Sequence, residues 1–173
     1  MSQGIDYSKL HESERVELHL PQPVPVRQAA RTLQAQGFEL CEDVCSLPRK
    51  DARQSHQPDS ITTVSFVSAG VEKTTYLEDD DEDDDGSAPE CDVLVFDYLF
   101  ASLPKTLIPE FLAMLQRVQP VFGGTLRHRG APVEIPALET LFASYVSDIW
   151  EELAEEPGGD LLRRIIHESY PRR

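Results

Sequence analysis

Glu78, Asp79, Asp80, Asp81, Glu82, Asp83, Asp84 and Asp85 form an unbroken row of carboxylates, followed by Gly86, Ser87 and Pro89. Side chains of this type at this density stay in solvent, hold a cation or face a basic surface. A packed core is closed to them, because an unpaired carboxylate is too costly to bury. The plain outcome is a solvated, self-repelling loop. Calcium is the second. Asp81, Asp83, Asp85 and Gly86, with Asp92 at the twelfth position, follow the ligand spacing of an EF-hand loop. The context departs from that pattern: no helix is expected before it, Ala88 replaces a larger apolar residue, Pro89 falls inside, and Asp closes the loop in place of Glu. The expectation is therefore no metal and no cofactor. A basic protein surface is the third outcome, and charge complementarity would speed that encounter.

A second acidic group, Glu151, Glu152, Glu155 and Glu156, falls at the end of an expected long helix. Carboxylates there oppose the helix dipole, so the charge either serves binding or lies on an exposed polar face. Trp150 stands between these acids and an apolar stripe. It reads as an interface anchor or a core residue.

Little else points to chemistry. His11, His19, His56, His128 and His167 are scattered, with no H-x-H or H-E-x-x-H spacing. Nucleophile-elbow, dinucleotide-binding and P-loop patterns are missing from the sequence. Asp97, within an apolar stretch, is the one carboxylate expected to have a perturbed pKa, unless it caps a neighbouring backbone group. The chain is not expected to be an enzyme. Cys41-x3-Cys45 lacks the spacing of a zinc site, and with Cys91 the count is odd, which does not suit a disulfide framework. Buried or half-buried free thiols are expected. Arg127, His128 and Arg129 read as an exposed turn. Arg163, Arg164, Arg172 and Arg173 gather near the end of the sequence.

The whole composition narrows the partners. The chain has 173 residues, with 16 Lys and Arg against 31 Asp and Glu, a formal charge of −15 and a pI near 4.6. Nucleic acid and anionic membranes, themselves polyanions, are not expected as partners. Residues 1–18 have no apolar core of a signal peptide, and no apolar stretch approaches the ~20 residues that cross a bilayer. A soluble, cytoplasmic protein is expected.

Periodicity supplies the elements that must position these groups. Val16, Leu18 and Leu20 alternate with Glu17 and His19 as in a half-buried strand, which Pro21, Pro23 and Pro25 are expected to end. Val26, Ala29, Ala30 and Leu33 mark a helix face, with Gly37 as its C-terminal cap. Short strand over 38–41, loop over 46–59, strand over 61–67 and hairpin return over 71–77 follow. Residues 93–100 read as a central strand covered on both faces. Ile108, Phe111, Leu112, Leu115 and Val118 mark a helix stopped by Pro120. Residues 121–134 read as a short strand pair or an extended loop. Leu138, Leu141, Phe142, Tyr145, Val146, Ile149 and Leu153 mark a long helix. Asp160 then caps a last one carrying Leu161, Leu162, Ile165 and Ile166.

The result is a single α+β domain over 1–173, with a loose leader at 1–14 and a flexible acidic loop at 78–90. Its sheet is expected to be mixed and mainly antiparallel, packed by helices, with a split βαβ-like N-terminal part.

In overall character, with 78–85 and Glu151, Glu152, Glu155 and Glu156 as the residues that carry it, the chain resembles small acidic immunity proteins of bacterial antibacterial toxin systems. These include the immunity proteins paired with type VI secretion effectors. The resemblance implies stoichiometric neutralisation of a cognate toxin, with a nuclease favoured because its substrate groove is basic. Carboxylates would stand in for substrate phosphates, and Trp150 would anchor the complex. The alternatives are an acidic secretion chaperone or adaptor, and a metal-binding regulator using residues 81–92. Homodimerisation is left open.

Overall fold

The computed structural model describes residues 13–41, 44–48, 60–68, 71–72, 89–99 and 108–143. Ser13–Pro25 forms β1, Val26–Ala35 α1, Glu39–Cys41 β2, Val44–Pro48 β3, Ser60–Ser68 β4, Val71–Glu72 β5 and Glu90–Leu99 β6. Ile108–Phe122 forms α2, Thr125–His128 β7 and Ala131–Pro132 β8, and the described part of a third helix, α3, covers 135–143. The sheet order is β2-β3-β4-β6-β1-β7-β8, and β5 pairs the end of β4. Each of these pairings is antiparallel. The fold is α+β with an antiparallel sheet, as the periodicities require. β1 and β2 run the same way, joined through α1, with β3, β4 and β6 between them.

One face of the sheet and three helices share one core. Val16 and Leu18 of β1, Val64 and Phe66 of β4, Leu94 and Phe96 of β6, and Leu126 of β7 are all at most 1% exposed. Phe111, Met114, Leu115 and Val118 of α2 meet them, with Leu138 and Phe142 of α3. Burying each large apolar side chain stabilises the fold by about 1.5–3 kcal/mol. The rings of Phe111 and Phe142 pack edge to face, centroids 5.8 Å apart, which joins α2 to α3.

α1 follows its sequence pattern closely. Val26, Ala29, Ala30 and Leu33 are buried. At its start the Val26 N–H donates to the Pro89 carbonyl at 2.8 Å. At its end Gly37 takes φ +96° and donates to Gln34 O, while Phe38 donates to Leu33 O. This paired cap needs a left-handed residue, and glycine adopts that conformation without a Cβ penalty.

Proline placement differs from expectation in two elements. β1 does not stop at Pro21 but runs to Pro25. The prolines are accommodated because the register slips: Leu20, Pro21, Gln22 and Pro23 face only Asp92 of β6. A residue without an N–H is tolerated where the ladder is interrupted. α2 likewise runs past Pro120 to Phe122, with Pro120 exposed. One helical hydrogen bond is missing there, and Gly123, at φ +69°, ends the helix.

Two other segments also differ. The start of the expected 46–59 loop belongs to β3, where Cys45 and Leu47 face the core and Leu40 opposes Cys45. The alternation is too short to stand out in sequence. Within the 121–134 segment, Val121 and Phe122 end α2, and β7 and β8 form a hairpin. Arg129 at φ 50° and Gly130 at φ 79° form its two-residue turn, whose left-handed pair matches strand twist. β5 pairs Val67 with Glu72 and Ser68 with Val71, the expected hairpin; residues 73–77 lie outside the described residues.

Candidate functional site

The sheet's second face, away from the core, carries ordered polar groups. Register sets them in rows. Arg15, Asp97 and Thr63 are cross-strand neighbours on β1, β6 and β4, as are Glu17, Val95 and Ser65 one row along. Arg127 of β7 lies opposite Glu17, and Thr125 opposite His19. Alternation alone explains the division: Val16 and Leu18 point into the core, so Arg15, Glu17 and His19 point out of it.

Two close polar contacts lie on this face. Arg15 Nε lies 2.8 Å from Asp97 Oδ1, with Asp97 the less exposed partner. The distance is that of an ion pair between neighbouring strands. His19 Nε2 lies 2.7 Å from Glu17 Oε2. The Thr62 hydroxyl, on the core side, donates to the Asp97 carbonyl at 2.9 Å and ties β4 to β6. Asp97 is thus a structural ion partner on a central strand. In the middle of the face Val95 is 3% and Ser65 8% exposed, and Ser65 Oγ is buried without a hydrogen-bond partner.

The basic triplet is not one exposed turn. Arg127 is half-buried on β7 and Arg129 occupies the turn. His128 is 7% exposed on the core side, its ring 6.2 Å from that of Phe142 and perpendicular to it. The reason is strand alternation, which turns residue 128 inward with Leu126. The thiols also divide. Burial pushes Cys45 and Cys91 up to about 12, aided by Cys41 for the first and by Asp92 and Glu90 for the second. Cys41, expected to be at least half-buried, is exposed at the edge strand.

Glu78, Asp79, Asp80, Asp81, Glu82, Asp83, Asp84 and Asp85 lie outside the described residues, as do Trp150, Glu151, Glu152, Glu155 and Glu156. So do the 1–12 part of the leader and the last expected helix. Of the EF-hand-like positions only Asp92 is described. It sits inside β6, where an EF-hand would begin its second helix. Among the described residues, no group of three or more His, Cys, Asp and Glu is placed to hold a metal ion. Among them, too, no helix is long and apolar enough to cross a membrane.

A basic groove was not foreseen. Arg27 and Arg31, one turn apart on α1, line it with Pro25, Ala35 and Val121. The signal was present as an i, i+4 arginine pair opposite the Val26, Ala29, Ala30 and Leu33 stripe. No protein-family model matches the chain, and no curated protein matches it either.

Proposed function

We propose that this chain is a cytoplasmic binding protein of the immunity type, which neutralises a basic toxin by stoichiometric occlusion. The observation that carries the reading is the partition of charge. Twelve of the chain's 31 acidic residues fall in two short stretches, 78–85 and Glu151, Glu152, Glu155 and Glu156, in a chain of formal −15. A protein that needed negative charge only for solubility could spread it along the chain. Concentrated blocks instead produce a local field that steers a basic surface and competes with phosphate for it. A nuclease, whose groove is built for phosphates, fits that chemistry best. Trp150, beside the second block, supplies the apolar contact that charge alone does not.

Co-expression with any toxin encoded by an adjacent gene tests the proposal. Protection by this chain and complex formation in a one-to-one ratio are expected, with an association rate that falls as salt rises. Loss of cell viability with every such toxin, whether or not this chain is present, would overturn it.

A further inference from the structure

We draw no further inference here: the strongest candidate, the outward sheet face around the neighbouring buried Ser65 and Val95, with half-buried Val67 and Val93 one row along, carries nothing, because nothing among the described residues shows what covers it.

Discussion

Single positions report on how this chain uses its interior. Cys45 and Cys91 are fully buried with thiols pushed up to about 12, while Cys41 is exposed. A thiol reagent under native conditions should therefore modify Cys41 alone, and all three only in denaturant. The same shift sets an alkaline limit. Below pH 9 both buried thiols are protonated whether the chain is folded or not. Above it the unfolded thiols ionise near their ordinary 9.0 while the folded ones do not, so stability falls from pH 9 towards about 12. Urea melts at pH 8 and pH 10 should show this loss, and it should shrink in a Cys45→Ala, Cys91→Ala variant. Gly124 answers to space: a Cβ there would lie 2.5 Å from the His19 carbonyl oxygen and 2.7 Å from Leu18 Cδ1. Gly124→Ala should cost about 1–3 kcal/mol, read from the melting midpoint. Ser65 answers to polarity. Its hydroxyl is buried without a partner, so Ser65→Ala should leave stability unchanged or raise it in the same melts.

At the scale of elements, α3 is held by Phe142, packed against Phe111 and His128. Phe142→Ala should destabilise by about 3–5 kcal/mol in a denaturant melt, the cost of a cavity at an aromatic core position. Arg15→Ala should change stability by no more than about 1 kcal/mol, because the Arg15 side chain is half in water. Which elements could be read in advance follows the length of their periodic signal. α1, β4, β6 and the core face of α2 repeat an apolar spacing long enough to be unmistakable. β3 has only Cys45 and Leu47 to show, which is less than alternation needs. The prolines misled for a different reason. Pro21 and Pro23 remove donors from β1, but the ladder is already broken there, and only pairing with β6 reveals that. The Arg15–Asp97 contact was likewise invisible, since it depends on a register between strands some eighty residues apart. The Arg27 and Arg31 pair was legible as spacing, but a chain of −15 draws attention to its acids.

On the scale of the whole molecule, the negative charge is concentrated in sequence. Replacing 78–85 by Ser and Gly takes the formal charge from −15 to −7 without removing a described core side chain. The melting temperature should stay within a few degrees of the parent. Association with a basic toxin should slow by about tenfold or more at low salt, and its salt dependence should flatten; stopped-flow measurements at two ionic strengths would show both. The sheet's borders add a final consequence. Among the described residues one border is the three-residue β2 and the other the two-residue β8, which contains Pro132. An incoming strand finds too few free backbone donors and acceptors at either side to continue the ladder. Among the described residues the sheet thus has no long border on which a second copy could extend the ladder.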